Sequence, residues 1–185
     1  MQRFLSKINR GLVLLFLLVI GISFYLISLE VSRYAEKEEI ISACQEYIEE
    51  NSDWVILPEE HRFPGPGTGP SAYLSSIRDD VSANLLEDDN ALSYELDRLM
   101  MWYEIQQAND RFIKSVTKVV EGSPMISYDD DVAYVKLSVL TTMTFESSST
   151  TSTDSTPYNT QDQIALKKQD GNWKIFYSQI EYPIW

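Results

Sequence analysis

The sequence predicts an α+β protein: an N-terminal transmembrane helix, then helices packed on a curved antiparallel sheet of about four strands. Three observations carry this. Gly11 to Leu29, GLVLLFLLVIGISFYLISL, is nineteen residues without a charge. Residues 71–107 hold two apolar stripes at three- and four-residue steps, the period of a helix packed on one face. Residues 132–180 hold runs that alternate apolar and polar, the period of a half-buried strand.

The Gly11–Leu29 run would reach roughly 28 Å as a helix, close to a bilayer's hydrocarbon core of about 30 Å. Arg3, Lys7 and Arg10 precede it with no acid, and Glu30 follows it. Positive charge stays cytoplasmic, so residues 1–10 are expected inside and 30–185 outside, in the periplasm or the extracellular space. A cleaved leader has a shorter apolar region ending in a small-x-small site, and Ser28-Leu29-Glu30 is a poor one. The expectation is an uncleaved, single-pass signal anchor. Ile41-Ser42-Ala43-Cys44 looks like a lipidation site, but six charged residues separate Cys44 from the apolar run. A small buried residue on a helix explains Cys44 better.

Residues 30–185 carry twelve of the fifteen Lys+Arg and all 28 Asp+Glu, a net charge of −16. Such a surface repels nucleic acid and anionic headgroups, and it suits solubility or a basic partner. The single cysteine excludes an internal disulfide.

The helix is expected to run on past the span. No Gly or Pro occurs from Glu30 to Glu50, and Ile40, Ile41, Cys44, Tyr47 and Ile48 make one stripe. A single rod from about Ile8 to Glu50 follows, its part beyond the span belonging to a membrane-proximal helix and linker, residues 30–57. Residues 58–70, PEEHRFPGPGTGP, forbid regular structure, and the exterior domain is expected over 58–185. Gly65, Gly67 and Gly69 lack the strand-turn-helix setting and the Lys-Ser/Thr of a phosphate loop. A helix then carries Leu74, Ile77, Val81 and Leu85. A second, about Ala91 to Gln107, carries Leu92, Leu96, Leu99, Met100 and Tyr103.

Residues 112–120 fit either element: Phe112, Ile113, Val116, Val119 and Val120 make a helical stripe, while the β-branched content favours a strand, and a strand ended by Gly122-Ser123-Pro124 is expected. From Val132 to Glu146 the alternation is strict, with Ala133, Val135, Leu137, Val139, Met143 and Phe145 on one face. Fifteen residues exceed the usual strand, so the sheet must bend or bulge. Ser147 to Thr160 reads as a Ser/Thr-rich loop. Gln163–Gln169 and Trp173–Ile180 are two more strands, joined by a tight turn at Asp170-Gly171-Asn172.

The closing IALKKQDGNWKIFYSQIE has an apolar strand, a polar-Gly turn, a Trp and an aromatic-rich strand. It resembles the last hairpin of the nuclear transport factor 2-like superfamily, the cystatin-like α+β folds. Val132-Ala133-Tyr134-Val135-Lys136-Leu137 resembles that family's long central strand. The likeness covers roughly residues 71–182. It implies a curved sheet wrapped on helices as a cone with an apolar pocket. The family includes isomerases, dehydratases, ligand binders and non-catalytic scaffolds, so the fold alone does not choose a function.

His61 is the only histidine, HExxH is absent, and Asp129-Asp130-Asp131 lacks calcium spacing, so neither metal nor cofactor is expected. His61 reads as an exposed loop residue. The resemblance implies an Asp, His or Tyr inside the cone of a catalytic member. Tyr103, Tyr134, Tyr177 and Asp110 are the candidates here, and no catalytic residue is assigned among them. Trp102, Tyr103, Asp110, Trp173 and Tyr177 are the candidate pocket residues, the aromatics among them equally suited to a core. Ile184 and Trp185 are candidate partner contacts at the C-terminus. The resulting expectation is a non-catalytic, membrane-anchored interaction or ligand-binding domain with a protein partner or a small apolar ligand. It would be an accessory subunit of a bacterial envelope complex. One alternative is an isomerase or dehydratase-type enzyme using the cone. The other is a minor-pilin-like subunit, since Arg10-Gly11 before an apolar helix resembles a prepilin cleavage site; Phe16 stands where pilins carry Glu.

Overall fold

The computed structural model describes residues 10–63, 65, 67–129, 131–147 and 156–183. Helix α1 spans Arg10–Trp54, longer at its C-terminal end than the apolar pattern indicated. A single 3-10 turn, Glu59–His61, interrupts the Gly/Pro segment. Helices α2, Pro70–Asn84, and α3, Asp89–Ala108, follow, then strands β1, Phe112–Asp129, β2, Val132–Glu146, β3, Thr156–Gln169, and β4, Asn172–Gln179. The four strands form one antiparallel meander in chain order. The α+β class and the antiparallel four-strand sheet are therefore as the sequence predicts.

The chain divides into two compact units, Met1–Glu39 and Ile40–Trp185. The second takes in more than residues 58–185, because Ile40, Cys44, Tyr47, Ile48, Trp54, Val55 and Leu57 all belong to its buried core. Among the described residues no helix is long and apolar enough to cross a membrane. The part of the apolar run with described side chains, residues 14–28, is shorter than a span.

The second and third helices begin for local reasons. Pro70 supplies a first-turn residue whose missing N–H costs nothing there. Asp88 caps α3, its carboxylate accepting from the Asn90 N–H at 2.8 Å. Between them, Leu85 bridges Ile175 of β4 in parallel, and the Leu86 N–H donates to the Ile175 carbonyl at 2.7 Å. This covers part of the otherwise open β4 edge.

The sheet departs from the expected pattern in three places. β1 does not end at Val120. It continues to Asp129 through a bulge between Glu121 and Met125, where Gly122 takes a φ of +71°. Glycine adopts that backbone without strain, so the Gly-Ser-Pro segment bends the strand instead of breaking it. β3 starts at Thr156, and its first residues pair with Leu140–Met143, so the Ser/Thr-rich segment is partly strand. In β4 a register shift separates Leu166↔Ile175 from Ala165↔Tyr177. Trp173 and Ile175 face the core before the shift, and Ser178 and Ile180 after it. Tyr177 therefore leaves the face it would share with Trp173 in a regular strand. At the β3–β4 turn Asp170 and Gly171 have φ of +51° and +87°, as a two-residue I′ hairpin turn requires.

Candidate functional site

One face of α3 meets the inner face of the sheet through side chains that are not all apolar. Ala91, Glu95, Arg98, Leu99, Tyr103 and Gln106 are its buried positions. Leu92, Leu96 and Met100 are only partly buried. The helix is thus rotated from the leucine stripe read in the sequence, and that rotation turns Glu95 and Arg98 inward.

Glu95 is the hub of a buried network. Its Oε1 accepts from Asn51 Nδ2 at 2.8 Å, and its Oε2 accepts from Ser178 Oγ at 2.9 Å. Arg98 donates from Nε to Oε2 at 3.1 Å and from Nη2 to Oε1, a two-pronged pair one helical turn long. Tyr47 Oη donates to Ser178 Oγ at 2.9 Å, and Tyr182 Oη donates to Asn51 Oδ1 at 2.6 Å. Burial alone would pull the Arg98 pKa down; the Glu95 carboxylate outweighs it and keeps the guanidinium charged.

A second buried pair lies across the sheet. Lys118 Nζ of β1 contacts Asp162 Oδ2 of β3 at 2.8 Å and donates to the Glu181 carbonyl at 2.9 Å. Asp162 Oδ1 accepts from the Glu181 N–H at 3.1 Å. Asp162 thus holds the segment after β4 against the sheet. Lys118 also stands 4.6 Å from the centre of the Tyr182 ring.

These two clusters adjoin a pocket of about 580 Å³. α3 contributes Tyr94, Arg98, Met101 and Trp102, and the end of β4 with the following segment contributes Tyr177 and Gln179–Pro183; Thr160 completes the wall. Tyr94 and Tyr177 stack with centroids 5.2 Å apart, and Trp102 meets Tyr182 edge-on at 5.6 Å. Two buried N–H groups beside this pocket have no acceptor on the described protein atoms: Arg98 Nη1 and Trp102 Nε1. Each such group costs about 1–3 kcal/mol when left unmatched. A larger, polar hollow near 1220 Å³ lies between the α2–α3 connection and the β3–β4 turn. It lacks comparable aromatic walls, and Lys174 within it already donates to the Ala83 carbonyl at 2.6 Å.

Of the residues singled out in the sequence, Trp102 and Tyr177 come together at the pocket. Tyr103 is fully buried and donates to the Trp54 carbonyl, a core role. Trp173 is 9% exposed and belongs to the core. Asp110 sits in the α3–β1 turn with a φ of +46°, away from the pocket walls. Tyr134 is exposed on β2. Ile184 and Trp185 lie outside the described residues. His61 is half-buried, not exposed, and its ring lies 5.4 Å from that of Tyr73. Among the described residues no cluster of His, Cys, Asp and Glu is arranged to hold a metal. Sequence reasoning missed Glu95, Arg98, Lys118 and Asp162. For Asp162 a signal existed: it sits in phase with Thr160, Ile164 and Leu166, all buried.

No family model and no curated protein matches the chain. Solved structures do match, among them the intermembrane-space region of the chloroplast protein ARC6. It is 14% identical over 55% of this chain and 75% of that one, with a TM-score of 0.37. A likeness of that size carries no argument about fold or function.

Proposed function

We propose that this chain is a membrane-anchored, extracytoplasmic binding domain that takes a small ligand in the pocket between α3 and the segment after β4. The observation that carries this reading is the pocket itself: aromatic walls from Tyr94, Trp102, Tyr177 and Tyr182, with an unmatched buried donor on each of two lining residues, Arg98 and Trp102. A volume near 580 Å³ suits a small molecule. The family likeness read in the sequence implies an apolar pocket, which is in keeping with a ligand-binding reading.

The reading is non-catalytic because the two buried carboxylates beside the pocket, Glu95 and Asp162, are occupied, while Glu181, the acid on its wall, is exposed to solvent. Both oxygens of Glu95 and both of Asp162 accept from protein donors. A general base needs a free lone pair directed at its substrate. The anchor rests on the uncharged Gly11–Leu29 run and the basic residues before it. Within the first unit Leu14, Phe16, Leu18, Phe24, Tyr25 and Ile27 are each more than half exposed, on more than one side of the helix. An apolar surface of that kind in water would aggregate; in lipid it is matched.

Two measurements test the reading. Carbonate extraction of the native membrane should leave the full chain in the pellet, and release into the supernatant overturns the anchor. Hydrogen exchange of the full chain against a fragment library should reveal compounds that protect residues 94–102 and 177–183. Protection confined to other segments, or none at all, overturns the pocket.

A further inference from the structure

The pocket's chemistry also narrows its ligand, an inference that rests on the reading of this pocket as a binding site. Among the lining residues the basic side chain is Arg98 and the acid is Glu181. The Arg98 charge is already matched by Glu95, which holds it through two N–H groups. The neighbouring Lys118 is likewise matched by Asp162. An anion entering here meets no excess positive charge, and it approaches a domain whose residues 30–185 carry −16. What the pocket leaves unmatched is hydrogen-bonding capacity: Arg98 Nη1 and Trp102 Nε1, both buried, both donors, on residues four apart along one helix face. Neither Arg nor Trp side chains can accept in return. A cationic ligand without an acceptor would leave both N–H groups unsatisfied. The remaining wall, Tyr94, Met101, Tyr177, Ile180, Tyr182 and Pro183, offers ring faces and aliphatic surface.

We infer that the pocket selects an uncharged, flat, apolar or aromatic molecule bearing a carbonyl oxygen, the class of aryl amides, lactones and cyclic ketones. A small turn of either side chain brings its N–H to the pocket surface, where the carbonyl accepts from Arg98 Nη1 or Trp102 Nε1 and the ring lies among the aromatic walls. Selection against a carboxylate arises because its charge gains no counter-ion there and still loses its hydration.

Three water-soluble probes sharing one ring decide this: benzamide, benzoate and benzylammonium, titrated into the full-length chain in detergent micelles. The Trp102 indole N–H resonance, assigned with Trp102→Phe, and the backbone amides of Tyr177–Glu181 report binding. The expected result is a downfield shift of the Trp102 indole proton with benzamide. Benzoate and benzylammonium should bind about fivefold or more weakly, the effect of roughly one hydrogen bond. Trp102→Phe should lose most of that preference while keeping the ring in the pocket. If that variant does not fold, the wild-type indole shift decides alone, present with benzamide and absent with benzylammonium. Benzoate binding as tightly as benzamide, with shifts at the same residues, overturns the neutral-acceptor inference and leaves the binding pocket standing. No shift at any of these residues with all three probes overturns the pocket and the inference together.

Discussion

Tyr47 of α1 and Ser178 of β4, 131 residues apart in the chain, share a buried hydrogen bond of 2.9 Å. Ser178 passes the contact on to Glu95, which also holds Asn51 and Arg98. One carboxylate thus ties together α1, α3 and β4. Removing it strands a buried guanidinium and leaves Asn51 and Ser178 without an acceptor. Glu95→Ala is expected to cost about 3–5 kcal/mol, the range for breaking a buried ion pair from one side. Glu95→Gln keeps the shape and one acceptor oxygen but leaves the guanidinium charge unpaired, so it should recover only part of that loss. Urea melts of the two variants measure the difference. Equal midpoints for wild type and Glu95→Ala would show that the network holds nothing together.

Trp173 and Tyr177 are expected to part company under mutation. Trp173 lies in the core at 9% exposure, whereas Tyr177 is 39% exposed at the pocket. Trp173→Ala should cost about 3–5 kcal/mol, as core aromatics do. Tyr177→Ala should cost under about 1 kcal/mol of stability while weakening whatever the pocket binds. The reverse order of stabilities would mean that the register shift in β4 lies elsewhere.

That shift also shows how far the sequence could be read. β2 was legible because its inward positions, Ala133 through Phe145, keep one phase along the whole fifteen-residue strand. The Asp170-Gly171 turn was legible because its chemistry allows few conformations. The bulges were not, since a single extra residue changes the phase of everything after it without altering composition. Plain alternation from Trp173 would therefore set Tyr177 on the same face, where the register shift does not leave it. The pocket was only half legible. Trp102 and Tyr177 stood out as aromatics, but Glu95 and Arg98 look like an ordinary solvated pair one helical turn apart. Their burial follows from the rotation of α3, which depends on partners more than forty residues away in sequence.

Alkaline pH should unfold the domain through its tyrosines. Burial raises the pKa values of Tyr47, Tyr103 and Tyr182 well above the ordinary 10.0, and pushes the Cys44 thiol up to about 12. In the unfolded chain these groups release protons at ordinary values, so the folded state binds more protons above them. Stability is then fully present below pH 10 for the tyrosines and falls as pH rises past it. Lys118 acts in the opposite sense. Burial lowers its pKa despite Asp162, so its contribution improves as pH rises toward 10.5. Three phenols and a thiol outweigh one amine. Phenolate absorbance during a pH titration should show exposed tyrosines ionising first and the buried three only with loss of the fold. A smooth single titration of all eleven tyrosines with the fold intact would contradict this.

The Lys118–Asp162 pair gives the most discriminating test of the inner sheet face. Its side chains are 1% and 0% exposed, so each ion has given up its hydration for the other. Lys118→Met removes the charge but fills the space, and it leaves Asp162 buried with only the Glu181 N–H as donor. The expected cost is about 3–5 kcal/mol. Adding Asp162→Asn to Lys118→Met takes away the stranded charge and keeps a carbonyl oxygen for the Glu181 N–H. The double variant should recover much of the loss and melt above Lys118→Met alone. A double-mutant cycle in urea measures the coupling directly. Additive losses would mean that the two charges are solvated and independent. The C-terminal segment at Glu181 would then be held by its backbone contacts alone, and the wall it forms beside Trp102 would be looser than the pocket requires.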